Sequence, residues 1–369
     1  MDHEHCDVAS ENQCLKETQI VSVTSVPPVK ITEPQQVRRI LFNDETDNQK
    51  IHAIRKIQGC YHIVLYFEND EEEHHDWSLT SWIVESLART LLDHPLLAGR
   101  IHKRNDATGF EIVSNDSGIR LLEARCSTTL SEFLELNRKK RDDHEIELVF
   151  WNEIDTQFPQ FSPLFYVQVT SFISGGYSIG ISCSLFLAEF VVVKKFLNKW
   201  AQTYNMLPSI SNKEIDRTIF NYLGSKNPNF LSTEDLNNHS QNKNRVQSVG
   251  FKITTKDVNF SKVLWRELAM VCMEEAEEKL EMKIGSSFSL VVKEFLEVVE
   301  VESVTKSGIK NQIVCITSWD DFGVDKVVFH EENKVVHVSC WIGSVADAVV
   351  MILPCIEENV CGVIVVAPS

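Results

Sequence analysis

Several short stretches hold residue types that carry chemistry in other proteins. His74-His75-Asp76 offers two imidazoles and a carboxylate, the ligand types of a metal site. They close the run NDEEEHHD (Asn69 to Asp76), and adjacent residues on an acidic loop are ordinarily just solvated. Asp321-Phe322-Gly323 spells a kinase tripeptide, but the chain has neither a Gly-rich loop nor a His-Arg-Asp segment to accompany it. His330 beside Glu331-Glu332 is an acid/base pair in outline and a turn with charged tips by default. Cys183 and Ser184 are adjacent nucleophile types; on a strand they point to opposite faces, and either needs a neighbouring base such as His62. Ordinary strand packing is the competing reading. The ten cysteines carry no C-x-x-C pairs and no histidine spacing that suggests zinc.

The bulk composition narrows the partners. The 369 residues are 43% hydrophobic and 24% charged, an ordinary globular balance with room for two domains. A formal charge of −17 would be repelled by a duplex or a bare anionic membrane, so no nucleic-acid partner is expected. The apolar runs at Leu185 to Val193 and Val345 to Ile356 are interrupted, and both fall short of the roughly 18 to 20 residues that span a bilayer. No transmembrane segment is expected. The acidic N-terminus has no apolar signal core, so the thiols are expected to stay reduced in a cytosolic setting.

These residues need elements to hold them. Alternation predicts strands at Ile20 to Val29, Tyr61 to Phe67, Phe110 to Val113 and Ile119 to Ala124. Trp77 to Leu92 has helical periodicity, with Trp82, Ile83, Leu87 and Leu91 on one face. Trp77, Trp82 and Trp265 are read as core. HPLLAGRI (His94 to Ile101) reads as a helix-to-strand turn, and Ser127 to Leu136 as a helix opened by a Ser or Thr cap. Phe165 to Phe172 and Tyr177 to Ser184 form a hairpin around Gly175-Gly176, followed by a helix from Ala188 to Tyr204. Beyond a polar crossover come a strand (Val249 to Ile253) and helices at Phe260 to Glu281 and Ser286 to Val299. Strands follow at Gln312 to Thr317, Lys326 to Phe329, Lys334 to Cys340 and Val360 to Val366, with a helical turn at Ser344 to Leu353.

Four of these stretches together resemble the plant BAHD acyltransferase family. HPLLAGRI is similar to its Pro-Leu-Ala-Gly-Arg turn, and FSPLFYVQVTSFISGGYSIGIS to the strand pair before its catalytic motif. FLNKWA resembles the helix after that motif, and ITSW (Ile316 to Trp319) the strand before the second signature. NDSGIR (Asn115 to Arg120), the LLEA after it, and FSPL (Phe161 to Leu164) resemble the ECERIFERUM/Glossy wax-biosynthesis branch. The resemblance implies a two-domain α/β fold of the chloramphenicol acetyltransferase type, with mixed sheets, flanking helices and a channel between domains. It divides the chain into a disordered 1–20, an N-terminal domain 21–206, a crossover linker 207–246 and a shortened C-terminal domain 247–369.

In that family His-x-x-x-Asp-Gly supplies a general base, which takes a proton from the acceptor as it attacks an acyl-CoA thioester. Counting back from Phe196-Leu197 puts the His slot at Leu185, the Asp slot at Glu189 and the Gly slot at Phe190. Leucine has no lone pair. Glutamate keeps the structural charge, and Arg100 is a candidate anchor for it. Phenylalanine adds bulk where glycine allowed positive φ. Counting from Trp319, the second signature (Asp-Phe-Gly-Trp-Gly) falls on Val328, Phe329, His330, Glu331 and Glu332, where only the phenylalanine survives. No catalytic residue, metal or resident cofactor is therefore expected, with acyl-CoA the candidate ligand or substrate.

The branch resemblance implies an accessory role in fatty-acid elongation for cuticular wax. The partner would be the condensing enzyme (β-ketoacyl-CoA synthase), and the place the cytosolic face of the endoplasmic reticulum, with cytoplasm or nucleus as alternatives. Apart from that partner a monomer is expected. The competing reading is an acyl-CoA-dependent transferase, or a lyase, working through a non-standard site.

Overall fold

The computed structural model describes residues 18–42, 58–68, 76–104, 109–136, 138–173, 175–187, 190–207, 245–254, 262–294, 298–305, 329, 335–343, 345–357 and 360–368. The helices in chain order are α1 (Asp76–Thr90), α2 (Leu130–Glu135), α3 (Arg138–Glu145), α4 (Phe190–Met206) and α5 (Lys262–Leu280). The strands are β1 (Gln19–Val26), β2 (Val37–Phe42), β3 (Cys60–Phe67), β4 (Arg100–Lys103), β5 (Phe110–Val113), β6 (Ile119–Thr129) and β7 (Phe165–Ile173). They continue as β8 (Tyr177–Ser184), β9 (Ser248–Thr254), β10 (Ser287–Glu294), β11 (Val298–Thr305), β12 (Val335–Ile342), β13 (Val349–Glu357) and β14 (Val360–Val366).

Two mixed sheets organise the chain. The first runs β1-β6-β7-β8-β3-β12 and the second β4-β5-β2-β11-β10-β13-β14-β9. Each takes strands from both halves of the sequence: β12 closes the first sheet against β3, while β2 enters the second beside β11. One apolar core is shared by a face of each sheet and by α1 and α4, through residues such as Ile63, Leu87, Ile181, Phe196, Val291 and Met351. The far face of the second sheet packs on α5 through Trp265, Leu268, Ala269 and Met273. The far face of the first sheet is covered by α2 and the segment around Leu148 and Val149.

Local chemistry explains the joints. The hairpin of β7 and β8 turns at Gly175 and Gly176 with φ of 93° and 81°; a Cβ on Gly176 would stand 2.9 Å from Leu130 Cδ2. Helix α2 opens on a reciprocal cap: Glu132 N donates to Thr129 Oγ1 and Thr129 N to Glu132 Oε2. The Thr cap is as expected, although Ser127 and Thr128 belong to β6 and not to the helix.

The structure corrects three readings. Ser286 to Val299 is not a helix but β10 and the start of β11, an antiparallel pair. Phe288, Leu290 and Val292 face one core and Val291 the other, so both faces are apolar and the period-2 signal is lost. Val349 onward extends as β13 beside β10 where a helical turn was expected. Trp82 sits at the rim, 37% exposed against Tyr204, while Ile83 and Leu87 on the same helix, and Leu91 just after it, are fully buried. Strand β2 was not anticipated. The expected strands at 312–317 and 326–328, and 1–17 and 208–244, lie outside the described residues, as do His74 and His75.

Candidate functional site

The turn leaving β8 holds the first candidate position, and the backbone fixes it from both sides. Ser184 N donates to Leu164 O at 2.9 Å and Leu185 N to Gly59 O at 3.1 Å. Ser184 then caps the turn itself: its Oγ accepts from Phe186 N, and its carbonyl from Leu187 N. A third support comes from the other sheet, where the buried Arg38 of β2 donates through Nη1 to Leu187 O. This arginine was not singled out from the sequence; VRRILF carries two, and only the fold says which one turns inward.

Leu185 itself has no solvent contact, and neither does Phe186. Its side chain fills a slot at Gly59, ahead of β3, together with Val345 from the segment between β12 and β13. A Cβ built on Gly59 would lie 2.6 Å from Val345 Cγ1 and 2.9 Å from Leu185 Cδ1. The slot thus joins the two halves of the chain; two aliphatic side chains meet there, with the Gly343 carbonyl 3.6 Å from the same point. Nothing at position 185 can take a proton. Glu189 lies outside the described residues, and Phe190 begins α4. Arg100 spends two donors on carbonyls, with Nη1 2.8 Å from Gly99 O and Nη2 3.4 Å from Ser117 O.

Of the two adjacent nucleophile types, Cys183 is placed apart from the expected base, while Ser184 lies on the same face of the sheet as His62. Cys183 points into the shared core with no exposure. His62 faces the other side of the sheet, where Nδ1 is 2.8 Å from Ser182 Oγ and Nε2 is 3.0 Å from Cys60 Sγ. Its ring packs tilted on Trp341 at 5.0 Å. Both imidazole nitrogens therefore have side-chain partners, Ser182 on one side and Cys60 on the other. The pairing of His62 with Cys183 is overturned by strand alternation: Tyr61, not His62, stands opposite Cys183. The same alternation puts Cys60 with His62, and Ser182 with Ser184, a signal readable once the two strands are known to pair.

Of the second candidate set, Phe329 is described and is buried. Its ring meets Trp200 at 4.6 Å and Tyr204 at 5.9 Å, both on α4, and Phe67 at 5.9 Å at the end of β3. Trp200 is oriented in turn by Nε1, which donates to Ser86 Oγ of α1 at 2.8 Å. Phe329 therefore docks on the helix that follows Leu185. Val328, His330, Glu331 and Glu332 lie outside the described residues, as does Asp321-Phe322-Gly323. Among the described residues no three of His, Cys, Asp and Glu gather as a metal site requires, and no helix is long and apolar enough to cross a membrane.

The profile of the Transferase family matches residues 56–263, more than half of the chain and the whole of β3 to α4. The chain belongs to this family, the BAHD acyltransferases. Among curated relatives it is 24% identical over 173 residues to Protein ECERIFERUM 26-like of Arabidopsis thaliana, covering 44% of this chain and 39% of the relative. Protein ECERIFERUM 26 of the same plant is 32% identical over 104 residues, 28% of this chain and 23% of the relative. Omega-hydroxypalmitate O-feruloyl transferase, also of Arabidopsis thaliana, is 22% identical over 220 residues, 59% of this chain and 45% of the relative. The matches thus span less than half the length of these relatives. In this BAHD chain the position counted as the family's base is an aliphatic, sealed Leu185.

Proposed function

We propose that this protein is a BAHD-fold accessory factor of fatty-acid elongation, acting without proton transfer of its own. It would work with a β-ketoacyl-CoA synthase at the cytosolic face of the endoplasmic reticulum, extending very-long-chain acyl-CoAs toward cuticular wax. Leu185 carries the reading: a side chain with no lone pair fills the base position and packs with Val345 on Gly59. A general base must reach the proton it removes, whereas Leu185 has no basic atom and no solvent exposure. The likeness to the two ECERIFERUM 26 proteins supports the wax context. The mechanism is physical: a protein surface or acyl-accepting groove changes product length while the partner condenses.

Co-expression with a plant β-ketoacyl-CoA synthase in yeast tests it. The expected outcome is a shift of the acyl profile to longer chains than the synthase makes alone. An unchanged profile, with both proteins present, removes the reading. A second reading, an acyl-CoA-dependent transferase or lyase with unusual groups, draws on the likeness to the feruloyl transferase. Purified protein given long-chain acyl-CoA and an alcohol acceptor separates the two: turnover that one point substitution abolishes selects the enzyme.

A further inference from the structure

A second polar cluster lies on the far face of the first sheet, the face opposite the core that holds Leu185. Arg120 of β6 stands in register with Tyr166 of the parallel neighbour β7. Arg100 reaches the same place from β4 of the other sheet, tied by its bond to Ser117 O just ahead of β6. Arg100 is 2% and Tyr166 4% exposed, while Arg120 is half-buried, so the cluster opens to solvent on the Arg120 side. Burial and the charge of Arg120 bring Arg100 down to about 10, burial also lowers Arg120, and both guanidiniums act on the phenol. Burial raises Tyr166 above its ordinary value, so its hydroxyl is an O–H donor at neutral pH as any tyrosine is, and stays one well into the alkaline range.

Two like charges held together need an anion, and the described residues do not supply one. No carboxylate among them pairs with Arg100 or Arg120. Asp116, next to Ser117, turns its carboxylate on Thr32, accepting from N at 2.8 Å and Oγ1 at 2.6 Å. Beside Tyr166, edge-on at 5.6 Å, lies Trp151, whose buried Nε1 has no hydrogen-bond acceptor among the described residues. This donor-rich spot occurs in a chain with 53 acidic and 36 basic residues, where a bare cationic pair is least expected. An oxyanion would convert the repulsion into charge-assisted bonds, and the guanidinium fork suits phosphate in particular.

We propose that Arg100, Arg120 and the Tyr166 hydroxyl form a binding site for a phosphate group. The proposal is independent of the elongation reading. It is tested by thermal unfolding of the full chain in inorganic phosphate, glycerol 3-phosphate, acetate and chloride at one ionic strength. The expected result is a saturable rise of about 2–4 °C with phosphate over chloride, absent in Arg120→Gln. A matching rise with glycerol 3-phosphate assigns the site to phosphate esters, and a rise with inorganic phosphate alone assigns it to the free ion. An equal rise in acetate overturns the phosphate assignment. A non-saturating rise that Arg120→Gln shares is general salting and overturns the site. So does a variant that melts lower yet keeps the full phosphate shift, because Arg120 is then only structural. Should Arg120→Gln not fold, Tyr166→Phe takes its place: weaker phosphate binding supports the site, and unchanged binding overturns it.

Discussion

A leucine and a histidine at position 185 ask different things of their surroundings. An imidazole needs a partner for each nitrogen and a path for protons; a leucine needs only close apolar neighbours. The side chains that meet it are of the second kind, since Gly59 has none and Val345 presents a methyl group to the same slot. Gly59→Ala is therefore expected to destabilise the fold by about 1–3 kcal/mol through overpacking. Val345→Ala in the same chain should recover part of that loss, because the nearest obstructing atom is gone. Urea unfolding of the two single variants and the double gives the coupling; strictly additive costs would refute the contact. Glycine at 59 and valine at 345 carry no motif. Only the meeting of β3 with the segment after β12 gives them a role at this site.

At the scale of elements, the first sheet is held from outside at one close crossing. Gly180 of β8 lies under the segment that follows α3: a Cβ there would stand 1.9 Å from Leu148 O and 3.1 Å from Val149 Cγ1. A backbone carbonyl cannot rotate away as a side chain does. Gly180→Ala should therefore cost about 3 kcal/mol or more, read as a lower urea midpoint. Near-native stability would mean that Leu148 does not cross there. Legibility was uneven at this scale. The hairpin of β7 and β8 was readable because alternation and a Gly-Gly turn agree. The pair β10 and β11 was not, because Leu290 and Val291 are buried on opposite faces and a two-faced strand has no polar stripe.

Across the whole molecule, one buried carboxylate ties distant parts of the sequence together. Glu145 at the end of α3 has no exposure. Its Oε1 accepts from Tyr66 of β3 at 2.7 Å and from Ser339 of β12 at 2.6 Å, and its Oε2 pairs with Arg245. Arg245 also pairs with Asp142 and lies over the Trp341 ring at 4.5 Å. Glu145→Ala would strand these donors, with an expected cost of about 3–5 kcal/mol; Glu145→Gln, which keeps an acceptor, should cost less. Equal losses in the two variants would show that shape and not hydrogen bonding is at stake.

The histidines set a pH dependence on the same scale. Burial lowers His337, beside Ser339, below its ordinary 6.5, with the nearby arginines adding to the shift and Glu145 opposing it. Burial lowers His94 in the same direction. A depressed folded value means that the unfolded chain takes up protons first as pH falls. Stability from both groups is thus full above 6.5 and declines below it. The urea midpoint should drop between pH 7.5 and 5.5, and His94→Gln with His337→Gln should flatten part of that slope. An unchanged slope would place the acid sensitivity elsewhere.

The sequence by itself determined the family frame and the strands of the first sheet. Those features are local: spacing, alternation and turn residues do not depend on what lies across the core. Only the tertiary structure decided that Arg38 supports the turn after β8, that His62 answers Ser182 and Cys60, and that Arg100 and Arg120 share one site with no carboxylate pairing them among the described residues. Each depends on which face of which strand meets another strand far along the chain. Pairing across two interleaved sheets fixes that relation, and no periodicity within one segment encodes it.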